Sequence, residues 1–210
     1  MAARNRKRTW NPRFAALCLA AVFLLAGAAL WLWSAGRGLP GEEIETPDYV
    51  EKDYLTVNEW SRPGTPLEEI NGVVIHYVGN PGTTAQNNRD FFDKDDTEVS
   101  SHFVVGLKGE IIQCLPLWER SAASNDRNKD TISIEVCHPD GTGKFNDATY
   151  TSVVKLTAWL LKETGLSGDD VIRHYDVTGK LCPIYYVNNP DKWEAFKKDV
   201  KTSLAELKEK

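Results

Sequence analysis

The stretch "RHYDVTGKLCP", Arg173 to Pro183, sets a histidine, a lysine and a cysteine close together. His174 and Cys182 stand eight residues apart across a loop that contains Gly179. A third residue of the same chemical kind, His76, lies far upstream inside the apolar "GVVIHYV". A buried imidazole without a partner is costly, so His76 is either hydrogen-bonded or a ligand. Two histidines and a cysteine are good zinc ligands. Three protein ligands leave the fourth tetrahedral position open to water, which is the arrangement of a catalytic zinc rather than a structural one.

Such a centre needs a base and a group to steady developing charge. Glu135 lies on the polar face of "TISIEVC", with Ser133 and Cys137, while Ile132, Ile134 and Val136 fill the other face. A carboxylate there can act as general base. Lys180 precedes Cys182 by two residues, and in an extended segment both project to one side, which suits the lysine to an oxyanion. Taken singly, a salt bridge on a sheet edge accounts for Glu135 and a solvated loop for Lys180. A thiol hydrolase with Cys182 as nucleophile and His174 as its base also stays open at this level.

The elements that would position these residues alternate between strand and helix signals. "GVVIHYV" is apolar throughout, as a strand covered on both faces would be, and it ends at "GNPG". Thr83 or Thr84 caps a short helix expected to bury Phe91 and Phe92. "HFVVGLKGEIIQCLP" reads as a hairpin around Lys108 and Gly109. From Thr149 to Thr164 apolar residues recur at helical spacing and Gly165 supplies the stop. Asn189 and Pro190 open a last helix that buries Trp193, Phe196, Val200 and Leu204. The expected fold is α/β: one domain with a central mixed β-sheet flanked by helices.

The N-terminal residues differ in kind. Basic residues up to Arg13 precede twenty uncharged ones, Phe14 to Trp33, enough for a helix of about 30 Å that would cross a bilayer. Residues 1–13 are then cytoplasmic, 14–33 a transmembrane signal-anchor, 34–58 an extracytoplasmic linker and 59–210 the folded domain. Cleavage of the run as a signal peptide after the small residues Ala26 to Ala28 is the alternative, and would leave a secreted protein. After Pro40 the chain has 30 acidic and 19 basic residues, a net charge of −11 that argues against nucleic-acid binding. Cys114 and Cys137 end two strands, so a disulfide between them is possible if those strands are neighbours.

From about Asn71 to Tyr186 the sequence resembles the zinc-dependent N-acetylmuramoyl-L-alanine amidases of the phage-lysozyme and peptidoglycan-recognition type. The resemblance rests on "RPGTPLEEINGVVIHYVGNPGTTAQNNRDFF", "SSHFVVGLKGEIIQCLPL", "ISIEVC" and "VIRHYDVTGKLCP", in the family's order. It implies Zn2+ on His76, His174 and Cys182, Glu135 as catalytic glutamate and Lys180 as the loop lysine. It also implies peptidoglycan or muropeptides as partners, a monomer, and a groove that His102 either lines or supports through a structural hydrogen bond. His138 falls in a turn-rich loop and is expected to be exposed. Where family members often carry a Trp-His-Ala-Gly run along the groove, this chain has "SAASND", Ser121 to Asp126. That departure is expected to alter substrate contacts and leave the metal residues untouched. A peptidoglycan-binding receptor that uses the same groove without hydrolysis is the alternative function.

Overall fold

The computed structural model describes residues 38–209. The expected span from Phe14 to Trp33 lies outside them, and among the described residues no helix is long and apolar enough to cross a membrane. Six strands form one mixed sheet: β1 (Glu51–Lys52), β2 (Val73–Ile75), β3 (Phe103–Val105), β4 (Ile111–Gln113), β5 (Ile132–Val136) and β6 (Val171–Arg173), in the order β1-β4-β3-β5-β2-β6. β3, β5, β2 and β6 run parallel, whereas β3 and β4 form the expected antiparallel hairpin. Gly109 turns that hairpin at φ 83°, a left-handed conformation that glycine adopts without steric cost.

Among the described residues five α-helices accompany the sheet, α1 (Ala85–Phe92), α2 (Asp147–Thr164), α3 (His174–Thr178), α4 (Ile184–Asn188) and α5 (Pro190–Lys208), with a 3-10 turn at Asn125–Lys129. Thr84 caps α1 in a reciprocal box with Asn87, Asn146 caps α2, and Gly165 ends α2 in a left-handed conformation. The amphipathic stripes of α2 and α5 cover one face of the sheet. Val153, Leu156, Leu160 and Leu161 from α2 meet Trp193, Phe196, Val200 and Leu204 from α5 over Val73, Ile75, Ile132, Ile134 and Val136. Phe196 is fully buried, stacked on Trp193 at 5.3 Å between ring centroids and edge-on to Tyr150 at 5.7 Å. Phe196→Ala should therefore cost about 3–5 kcal/mol, lowering the melting temperature by roughly 10 °C in a calorimetric scan.

The opposite face carries α1, Leu55, Val104, Ile112, Leu115 and Cys137. Two expectations are corrected. Residues 39–58 are not wholly a tether: Val50 and Leu55 are buried, β1 pairs Glu51 with Ile112 and Lys52 with Gln113, and Arg89 donates to Tyr54 O at 2.8 Å. A two-residue edge strand has no apolar period to betray it. Cys114 and Cys137 are both free, because β3 separates β4 from β5 and the antiparallel turn leaves them at opposite ends of the sheet.

Candidate metal centre

The parallel register assembles the site. Ile75 pairs with Ile134 on one side and with Arg173 on the other. One residue further along each chain, His76, Glu135 and His174 therefore lie abreast at the carboxyl ends of three adjacent strands, the position where open α/β sheets place their ligands. Side-chain alternation sends His76 and Glu135 away from the α2–α5 core, since Ile75, Ile134 and Val136 already face it. Cys182 returns to this row because the loop closes on itself. Gly179 ends α3 at φ 78°, and Tyr175 N donates to Cys182 O at 2.9 Å.

His76 is 1 % exposed, Cys182 2 % and His174 6 %. One donor atom from each lies within 4.8 Å of the other two, and His76 Nδ1 stands 3.9 Å from Cys182 Sγ. His76 Nδ1 is also 3.9 Å from Glu135 Oε1. Burial, reinforced by His174 and Lys180, holds the His76 imidazole far below its usual pKa, so it stays neutral with a lone pair free. Burial also pushes the Glu135 carboxyl up to about 8, against the pull of Lys180, and the Cys182 thiol up to about 12. Glu135 Oε2 is buried without a hydrogen-bond partner. Two neutral imidazoles, a thiol and an orphaned carboxyl oxygen around one point are the surroundings a thiophilic dication satisfies, and the donor set fits zinc with one corner free.

A metal taken up here must displace the thiol proton and favour ionised Glu135. Zinc titration at pH 7 should accordingly release about two protons per chain, and about one from Glu135→Gln. Calorimetry in buffers of different ionisation enthalpy counts them.

These residues form one end of a groove of about 530 Å³. Lys180 lines it beside Cys182, though through a tight turn in which Cys182 N donates to Lys180 O at 2.6 Å rather than through the extended segment expected, and its charge bears on His76, His174 and Glu135. Asn87, Phe91, Lys94 and Val99 are also part of its lining. Phe91 is 47 % exposed, not buried as its neighbour Phe92 is, because α1 turns only one of the adjacent rings onto the sheet.

His102 does not line the groove. It is fully buried, with Nδ1 accepting from Ser133 N at 3.0 Å and Nε2 donating to Glu119 O at 2.8 Å, so it ties β3 to β5 and to the segment after β4. Burial lowers its pKa to about 4, consistent with the neutral ring those bonds require. His138 is also buried, contrary to expectation, between the carbonyls of Val78 and Asp140 at 2.8 and 2.7 Å.

Residues 66–184 match the family described as N-acetylmuramoyl-L-alanine amidase, Amidase_2. The chain belongs to this family. It is 32 % identical over 172 residues to the N-acetylmuramoyl-L-alanine amidase CwlL of Bacillus licheniformis, covering 74 % of this chain and 47 % of that protein. The amidase BlyA of Bacillus subtilis (strain 168) is likewise 32 % identical, over 173 residues covering 72 % of this chain and 47 % of BlyA. This chain thus spans about half the length of the curated relatives it matches. Among solved structures, the catalytic domain of XlyA is 28 % identical and superposes with a TM-score of 0.63 over 72 % of this chain and 98 % of that one. A mutant endolysin from Bacillus subtilis, also 28 % identical, gives 0.63 over 72 % and 97 %. The sheet and helices described here are therefore those of an amidase domain.

Proposed function

We propose that this chain is a zinc-dependent peptidoglycan hydrolase that cleaves the amide between the lactyl group of N-acetylmuramic acid and the L-alanine of the stem peptide. The observation that carries the reading is the meeting of His76, His174 and Cys182, from distant parts of the sequence, beside Glu135 in the groove. Membership of the amidase family supports the choice of bond.

His76, His174 and Cys182 would hold the zinc, whose Lewis acidity makes a water nucleophilic near neutral pH. Glu135, with 18 % of its side chain open to the groove, takes the proton of the attacking water and passes it to the leaving amine. Lys180, at the rim of the same groove, offsets the negative charge that gathers on the amide oxygen. Phe91 and Val99 give the groove an apolar wall against which sugar and peptide can lie.

The uncharged run from Phe14 to Trp33 behind its basic residues supports a single-pass membrane anchor with the catalytic domain outside the cell. An anchored domain needs no electrostatic attraction to the wall polymer, in keeping with its acidic surface.

Digestion of purified peptidoglycan tests the reaction. Mass analysis of the products should show a free lactyl carboxyl on the glycan and a free L-alanine amine on the peptide. Muropeptides bound without either new end group would mark a receptor instead.

A further inference from the structure

The two histidines of the centre are each held from behind by the same short segment. His76 turns Nδ1 toward Cys182 and Glu135, so Nε2 carries the proton, and it points at Ser124 Oγ, 3.1 Å away in a fully buried contact. His174 directs Nε2 at Asn125 Oδ1, 3.0 Å away, which leaves its Nδ1 for a metal. These two acceptors are consecutive residues 48 and 49 positions from the rings they hold. Their own placement is fixed: Asn128 Oδ1 accepts from both Ala123 N at 3.0 Å and Ser124 N at 2.6 Å. Asn125 adopts φ 52°, the only non-glycine residue with positive φ among the described residues. Asparagine tolerates that conformation better than most residues, and it is this backbone turn that brings its amide oxygen round to His174.

We infer that Ser124 and Asn125 are positioning residues for the metal centre, fixing the tautomer and the ring direction of His76 and His174 through their distal nitrogens. The inference rests on the zinc reading above. It also revises the expectation that the "SAASND" departure leaves the metal residues untouched, since that segment is what orients two of the three. A proton held on each Nε2 keeps each Nδ1 unprotonated, and a fixed ring spares the metal the entropy of aligning it.

The test uses the full-length chain in four variants. Ser124→Ala removes one acceptor. Asn125→Gly removes the other and keeps the positive φ without strain. Ser124→Thr and Asn125→Asp retain an oxygen at each place. Zinc affinity is read by competition with a chromophoric chelator, ligand geometry by the absorption bands of the cobalt(II)-loaded chain, and folding by the melting temperature of the metal-free chain. Both deletions should weaken zinc binding by about ten- to a hundredfold and move the cobalt bands. The metal-free melting temperature of Asn125→Gly should stay at the wild-type value, and the two retaining variants should recover wild-type affinity. If Ser124→Ala unfolds, the Asn125 pair decides the matter alone. Wild-type affinity and cobalt spectra in the deletion variants would overturn the inference while leaving the zinc centre standing. A wild-type chain that takes up no zinc would overturn both.

Discussion

Glu135→Gln is expected to lower the turnover of peptidoglycan by about 10²–10⁴-fold while zinc remains bound. The glutamine keeps the shape and loses the ability to take a proton, and it touches none of the bonds that hold His174 or Cys182. The same substitution should stabilise the metal-free chain at alkaline pH. In the fold the carboxyl pKa is raised from 4.5 to about 8, so between those values the folded chain holds a proton that the unfolded chain has released. Stability from this group is therefore greatest below about pH 4.5 and falls as pH climbs toward 8. Glutamine has no such dependence. At pH 8 or above the variant should exceed the wild type by on the order of 2–4 kcal/mol, with the gap closing near pH 4. Urea unfolding of the metal-free proteins across that range measures it. A residue that serves chemistry at a cost to stability leaves this double signature, whereas a carboxylate kept for a structural ion pair would destabilise the fold when removed.

His174→Ala should abolish zinc binding and activity together. Structural zinc sites bind with about 10–16 kcal/mol shared among four ligands, so losing one of only three should weaken the centre by on the order of 10³-fold or more. The fold should survive, because His174 heads the short helix α3 at the groove and takes no part in the α2–α5 core. Metal analysis of the dialysed variant, together with its circular dichroism, separates the two effects. The contrast with Glu135→Gln is the informative part: one variant is inactive with metal, the other inactive without it. A thiol hydrolase built on Cys182 and His174 would respond differently, keeping turnover in the absence of any metal.

The three candidate ligands were legible in the sequence for physical reasons that do not extend to their surroundings. His76 directly follows the apolar strand β2, and Glu135 shares the polar face of β5 with Ser133 opposite Ile132, Ile134 and Val136, so the period of two gives each a side and the parallel register sets them next to one another. His174 and Cys182 announce themselves through residue type and a glycine-bearing loop. Ser124 and Asn125 carry no such mark. They are small polar residues in a segment without period, and their partners are almost fifty residues away, one just past β2 and the other at the head of α3. His138 misled for a related reason: a turn-rich loop suggests exposure, yet the carbonyl of Val78 across the sheet end draws the ring inside. The long helices were legible because their apolar stripes, the glycine that stops α2 and the proline that opens α5 are local signals, although α2 begins two residues before Thr149, while β1 was missed because two residues of edge strand have no such signal.

If His76, His174 and Cys182 hold one zinc on which turnover depends, activity must follow the metal. Activity on purified peptidoglycan, measured on the chain as isolated, after stripping with a strong chelator and after adding back one equivalent of zinc, tests it most directly. The predicted result is loss on stripping and full return with zinc. Activity that survives complete removal of metal yet disappears on alkylation of Cys182 would contradict it.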